Sequence, residues 1–522
     1  MTRGVYYMPR KTAKFNRRET ELFRQKFAAN EPTKVLIFAP RMAKLEYELV
    51  ITHTPLMSTL DPADWASLRA LGHKMLDDMV DHLSNIREQP VWRPIPETVR
   101  QSFSAPVPRS GTEVEALYTR FTAEIQPYVT GNLHPRFMGW VHGGGNSVSM
   151  LAELLAGAMN ANCGGRDHVG IAVERQVIAW AAEMLGMPSR TSGVLLTGSS
   201  MANFCAVLCA KHKALGEAGH ETGVSGAKLT AYASAGVHRC ITGALDMAGF
   251  GRATLRKIPV DSYFRMDMDK LRKTIAADRK AGFTPFLIAA TAGSVDTGSF
   301  DDLNEAADIA ATEGAWFHVD GAFGALAAVS PTKRCLTSGL SRADSIAFDF
   351  HKWAQVTYSC GCLLVRDPAI HNATFAQPTN YLAAAPRGLA GGFPWPCDLG
   401  PDLSRGFSAL KIWMTLSAYG TEGLARVVEN SCALASRLVA QVQASNRLTL
   451  LAPTVLNIVC FGVEGKTNQQ IVDLVADLQE EGLFAPSTTV INGRTAIRCA
   501  IVNHRTTADD IDALVREVLR RL

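Results

Sequence analysis

Ser345-Ile346-Ala347-Phe348-Asp349-Phe350-His351-Lys352-Trp353 is an apolar run that ends in a charged and aromatic cluster. Residues 345–348 have the length and composition of a buried strand. A lysine straight after such a strand, between a histidine and a tryptophan, is not a surface pattern. When partly desolvated, a lysine amine loses its proton and bonds carbonyl carbons as a Schiff base. The bland alternatives are a strand-end lysine that binds phosphate, or one that does nothing.

Working outward, short apolar runs recur at 193–196, 229–233, 286–290, 316–319 and 361–365, separated by helical stretches. That alternation predicts an α/β domain with a mostly parallel sheet. Ligands of such sheets bind at the carboxyl ends of the strands, so the residues there are read first. Trp316-Phe317-His318-Val319-Asp320-Gly321-Ala322-Phe323 ends a strand in an acid. A buried carboxylate needs a partner, and a protonated pyridine nitrogen would be one; a helix N-cap is the other reading. Leu196-Thr197-Gly198-Ser199-Ser200-Met201-Ala202-Asn203 runs from a strand through a Gly/Ser turn into an apolar helix. Backbone N–H groups at a helix start bind phosphate, although serine caps also open helices everywhere. Ser234-Ala235-Gly236-Val237-His238 places a histidine after another strand, where it could stack on a flat ring.

The four elements run in the order phosphate turn, stacking His, Asp, Lys, each at an expected strand end. In this pattern the chain resembles the group II pyridoxal 5′-phosphate (PLP) dependent decarboxylases, which include aromatic-L-amino-acid and glutamate decarboxylases. The resemblance runs from about Asp61 to Leu522. It extends to His134–Trp140, Glu174–Ile178, Thr291–Gly298, Leu403–Phe407 and Ile501–Thr507. It implies PLP-dependent transferase fold type I: a large, mostly parallel sheet domain, a smaller C-terminal α/β domain and an N-terminal helical arm. It makes Lys352 the Schiff-base lysine, pairs Asp320 with the pyridinium and stacks His238 on the ring. Ser199, Ser200 and His351 fall at the phosphate, and Ser294 and Ala322 also line the cofactor. The implied reaction is decarboxylation of an L-amino acid, aromatic or other, to the amine and CO2.

Two positions depart from the family pattern. Asp349 stands where an Asn near the phosphate is common, so its acid is expected to point elsewhere or to cap a helix. The loop carries Gly391-Gly392-Phe393-Pro394-Trp395-Pro396 without the Tyr that protonates the substrate carbon in many members. Tyr381 is the nearest one. Relatives with Phe at that place release an aldehyde by reaction with O2, so an aldehyde synthase is the first alternative. A PLP-binding protein without catalysis is the second. Near the expected substrate wall, Phe137 and Trp140 are aromatic, whereas residues 160–166 are polar or small. That leaves room for a polar or acidic side chain, with Arg136 or Arg166 as counter-ion. Arg405 is a weaker candidate for a loop anchor or substrate contact.

Four segments follow. Residues 1–56 read as a basic leader, disordered or outside the native chain, with Met57 a possible start. Residues 57–130 read as a helical arm, whose first helix spans 61–89 with Asp61 or Asp64 as cap. Residues 131–402 form the PLP-binding domain, with a Gly-, Pro- and Ala-rich mobile loop at 380–402 that has little apolar area to bury. Residues 403–522 hold two connecting helices and the small domain. The Pro-rich stretch 90–108, with no core of its own, suggests a homodimer with shared active sites. A net charge of +4 over 522 residues argues against nucleic acid, and no apolar run is long enough to predict a membrane span. Eleven scattered cysteines suit reduced thiols in the cytoplasm. Cys360-Gly361-Cys362 suits a strand better than a metal site, and no metal is expected.

Overall fold

The computed structural model describes residues 59–376 and 385–522. The leader at 1–56, Met57 and Tyr381 lie outside these residues. The chain divides between His73 and Lys74 into two units. Helix α1 spans Trp65–Ser84, shorter than the expected 61–89, and none of its residues is buried. Of the two expected caps, Asp64 acts: its carboxylate accepts from Ala66 N at 2.9 Å and Ser67 Oγ at 2.6 Å.

The second unit is built on a seven-stranded sheet. Its strands are β2 (Ser192–Leu196), β3 (Leu229–Ser234), β4 (Leu255–Ile258), β5 (Thr284–Thr291), β6 (Trp316–Asp320), β7 (Ser345–Asp349) and β8 (Gly361–Val365). They lie in the order β2-β8-β7-β6-β5-β3-β4. The pairs from β4 to β7 are parallel, and β8 runs antiparallel to both β7 and β2. Strands β6, β7 and β8 are buried at every position, as continuous apolar runs with covered faces should be. The sheet is therefore mostly parallel, as expected, and its carboxyl edge collects Asp320 and Asp349 side by side.

A smaller sheet has the order β1-β11-β12-β10-β9, with β1 (Phe137–Met138), β9 (Leu448–Leu450), β10 (Ile458–Val463), β11 (Ala485–Ile491) and β12 (Arg494–Ala500). It gathers its own core around Phe461, Phe484 and Leu514. Because β1 pairs with β11, residues 137–138 contribute to the small sheet although they precede the large one. The two connecting helices expected after Arg405 are present within Ser408–Ala444, separated at Gly420 by a non-helical backbone with φ of 63°. Among the described residues no helix is long and apolar enough to cross a membrane.

The described part of the loop, 385–402, is better anchored than its composition suggests. Trp395 is fully buried, donates from Nε1 to Gly391 O at 2.7 Å and stacks on Phe393 at 4.0 Å. Asp167 N donates to Leu389 O at 2.9 Å and Cys397 N to Gly164 O at 2.9 Å. The expectation of little apolar burial overlooked how much area one tryptophan covers.

Candidate active site

The first piece of the site is a turn. β2 ends at Leu196, and helix α3 (Ser199–Leu215) starts three residues later. The gap is tight: a Cβ on Gly361, at the start of β8, would lie 2.4 Å from Gly198 Cα. Only glycine lets the two backbones approach this closely. The helix start is thereby held at the carboxyl edge, where Ser199 and Ser200 line a cavity.

Asp349 ends β7 and reaches that helix start. Its Oδ1 accepts from Ser199 N at 2.6 Å and its Oδ2 from Ser199 Oγ at 2.7 Å. It thus caps a helix, one of the two expected roles. It does not point away from the phosphate turn, because a buried carboxylate must be satisfied and the helix N–H groups are the nearest donors. Asp349 Oδ2 also lies 2.9 Å from Lys352 Nζ and 3.7 Å from His351 Nε2. His351 Nδ1 accepts from Cys360 N at 2.9 Å, which puts the ring proton on Nε2, toward the cavity. Burial holds the His351 pKa below the usual range, against the pull of Asp349.

Asp320, at the end of β6, is 4% exposed. Its only donors among the described residues are weak: Ala322 N at 3.2 Å and the Cys240 thiol at 3.6 Å. Burial, with Asp320 as second cause, pushes the Cys240 pKa well up, so the thiol keeps its proton. The neighbour of Asp320 across the ladder, Thr291, leaves its buried hydroxyl without a partner. His238 caps the helix Arg239–Met247. Burial lowers its pKa although Asp320 raises it, which favours a neutral ring.

One cavity of about 460 Å³ collects these groups. Ser199, Ser200, His238, Asp320, Ala322, His351 and Lys352 all line it, beside Asp349 and Thr291. Ser294 does not. Its hydroxyl is used within its own turn, with Thr297 Oγ1 at 3.0 Å and Ser299 Oγ at 2.8 Å, and the lining runs through Gly293 and Val295 instead.

The expected substrate contacts fare differently. Arg405 forms a two-pronged pair with Glu174, at 2.7 and 3.0 Å, and donates to Cys163 O and Leu195 O. Both side chains are buried, so Arg405 anchors the chain after the loop, and it is not among the residues that line the cavity. Arg136 is paired with Asp510 at 3.0 Å, and the Arg166 guanidinium sits over the Trp395 ring. Neither lines the cavity.

Sequence reasoning missed His142 and Tyr358, which line the cavity together with Trp140. Trp140 and His142 stack at 5.7 Å, and the Tyr358 ring lies 4.2 Å from that of His351. Arg498 Nη1 donates to Trp140 O at 3.1 Å and pins this turn. Burial first and Asp349 second push the Tyr358 hydroxyl up to about 12. No local periodicity marks these residues; only a Trp-Val-His run before three glycines hinted at a built turn.

The donor set fits PLP. The cavity volume falls in the range of small-molecule sites, roughly 300–1,000 Å³. A buried, under-donated Asp320 suits a pyridinium N–H, the helix start suits a phosphate, and Lys352 suits an aldehyde.

Residues 96–464 match the family model described as pyridoxal-dependent decarboxylase conserved domain. The chain is 28% identical over 466 residues to an aromatic-L-amino-acid decarboxylase of Bacillus atrophaeus, covering 86% of this chain and 94% of that one. It is 31% identical over 468 residues to a histidine decarboxylase of Drosophila melanogaster, covering 86% of this chain and 54% of the relative. The crystal structure of the Oryza sativa TDC with PLP and tryptamine superposes with a TM-score of 0.82 at 24% identity, over 88% of this chain and 99% of that one. That likeness establishes the shared fold.

Proposed function

This chain belongs to the pyridoxal-dependent decarboxylase family, and from that premise we propose which of its residues carry the reaction. The activity is PLP-dependent decarboxylation of an L-amino acid. PLP supplies an aldehyde for the substrate amine and an electron-accepting ring for the bond that breaks to CO2.

Lys352 is the amine that would hold the cofactor, and Asp349, 2.9 Å from its Nζ, would receive that amine whenever substrate displaces it. Asp320 keeps a proton on the pyridine nitrogen, and His238 covers one ring face. Ser200 and the Nε2–H of His351 donate to the phosphate, beside Ser199, whose N–H and hydroxyl are both given to Asp349. Thr291 and the main chain at Ala322 complete the wall.

The substrate is an aromatic L-amino acid. The observation that carries this reading is the wall of Trp140, His142, Phe323 and Tyr358, with no free guanidinium among the lining residues. Such a wall stacks on a ring and offers an acid nothing to pair with. CO2 release from aromatic, acidic and diamino substrates tests it. Aromatic acids should lead by kcat/KM; preference for glutamate or aspartate would refute it.

The enzyme acts as a cytoplasmic homodimer. Leu151, Leu154, Leu155 and Met159 form one exposed face of helix α2 (Ser147–Met159), which a second copy would cover. Residues 57–130 serve as the arm of that assembly and residues 403–522 as connecting helices and small domain.

A further inference from the structure

The far end of α3 carries a second group of ligand atoms. Gly216, with φ of 58°, reverses the chain after Leu215, and the short helical turn Ala218–Glu221 folds back over the last turn of α3. The approach is close: a Cβ on Gly219 would lie 2.9 Å from Leu215 Cβ. His220 Nε2 thereby comes to 3.1 Å from His212 Nδ1, with the rings 5.2 Å apart and inclined by 48°. A Glu217 carboxylate oxygen joins them, all three ligand atoms lying within 4.8 Å of one another.

Two imidazoles aimed at one another can share a proton or chelate a cation. A tetrahedral ion with metal–nitrogen bonds of about 2.0–2.1 Å holds two nitrogens about 3.3–3.4 Å apart, a few tenths of an ångström from the spacing here. The carbonyls that end α3 add partial negative charge. A cleft of about 420 Å³ borders both histidines and is also lined by Lys211, Cys397 and Asp398. The Lys211 charge opposes a cation, and the carboxylates of Glu217 and Asp398 offset it. The cleft leaves room for a water as fourth ligand.

We propose that His212, Glu217 and His220 form a binding site for a zinc-class divalent cation, with two imidazoles, one carboxylate and a fourth position open to the cleft. Two nitrogens and one carboxylate suit zinc over calcium or magnesium, which prefer oxygen cages. The site lies at the opposite end of α3 from the phosphate turn, so it binds independently of the cofactor.

The test uses the PLP-loaded enzyme, stripped with chelator, reduced, and titrated with cobalt chloride and then zinc chloride. One cobalt per chain is expected, with the intense visible bands of a four-coordinate nitrogen/oxygen site, displaced stoichiometrically by zinc. His212→Ala and His220→Ala should each weaken binding at least about tenfold, and Glu217→Gln less. The PLP absorbance of each variant should be unchanged. No cobalt uptake by the wild type would overturn the proposal. So would equal uptake by the His212→Ala/His220→Ala double variant, or a thiolate charge-transfer band that assigns the metal to cysteines.

Discussion

The Lys352 cavity has two walls made in different ways. The inner wall consists of strand ends: Asp320 on β6, Asp349 on β7 and the lysine three residues beyond it. The ladder hydrogen bonds of the sheet set their spacing before any side chain packs. The outer wall consists of turns: Trp140 and His142 from one segment, Tyr358 from another, fixed by Arg498 and by ring stacking. On the proposed roles, the inner wall performs steps common to every amino acid, and the outer wall chooses among them. Substitutions in the inner wall should therefore lower turnover of all substrates alike. Substitutions in the outer wall should change which substrate or product is favoured.

The largest effect belongs to Lys352→Ala. Without the amine no cofactor bond forms, and kcat should fall by about 10⁴ or more for every substrate. Loss of the internal absorbance band would accompany it; a retained band and rate would remove Lys352 from the inner wall. Asp320→Asn comes next. A neutral amide cannot hold the proton on the ring nitrogen, so kcat should drop by about 10²–10³ while PLP remains bound. An unchanged kcat would reduce Asp320 to a cap for Ala322.

Acid should damage the support behind the inner wall. His318 lies on β6 two residues before Asp320, fully buried, with Nε2 at 2.6 Å from Asn203 Oδ1 and Nδ1 at 2.8 Å from Ser345 Oγ. Burial pushes its pKa down to about 4, against an ordinary value near 6.5. The folded form keeps the ring neutral where the unfolded chain takes up a proton. Its contribution is therefore complete above about pH 6.5 and is lost as the pH falls toward 4, by at most about 3 kcal/mol. His371, buried and also pushed down to about 4, acts in the same direction. The melting temperature should fall between pH 7 and pH 5, and His318→Gln should flatten that fall. A pH-independent melting temperature would contradict the buried neutral rings.

The same contrast explains what could be read without the structure. Strands β6, β7 and β8 were legible because they are uninterrupted apolar runs, and their last residues announced the inner wall. β4 was not legible: Leu255-Arg256-Lys257-Ile258 is a short edge strand with charge in its middle. Asp349 was recognised as a misplaced acid, but which helix it caps depends on a Gly198–Gly361 contact between residues 163 positions apart. Ser294 was misplaced because a turn serine can satisfy itself locally or face a cavity, and the sequence is the same for both. Trp395 looked like part of an open loop because its neighbours are Gly and Pro. The outer wall depends on tertiary contacts, which leave no period in the sequence.

Tyr358 offers the smallest and sharpest test of the contrast. It lines the cavity, and its hydroxyl, raised to about 12, is fully protonated at neutral pH. Phe393, at the place where a loop tyrosine was expected, stacks on Trp395 and is absent from the lining. Among the described residues Tyr358 is the one tyrosine that lines the cavity, so its removal tests whether this phenol would supply the proton to the substrate carbon. Tyr358→Phe should leave CO2 release within about tenfold of wild type, since loss of CO2 precedes that proton. It should raise peroxide formed per CO2, because a carbon left unprotonated for longer gives O2 more time. The ring contact with His351 survives in phenylalanine, so a packing effect alone would move neither ratio. Unchanged peroxide per CO2 under air would return Tyr358 to a purely spatial role, and Trp140 and His142 would remain as the selective part of the outer wall.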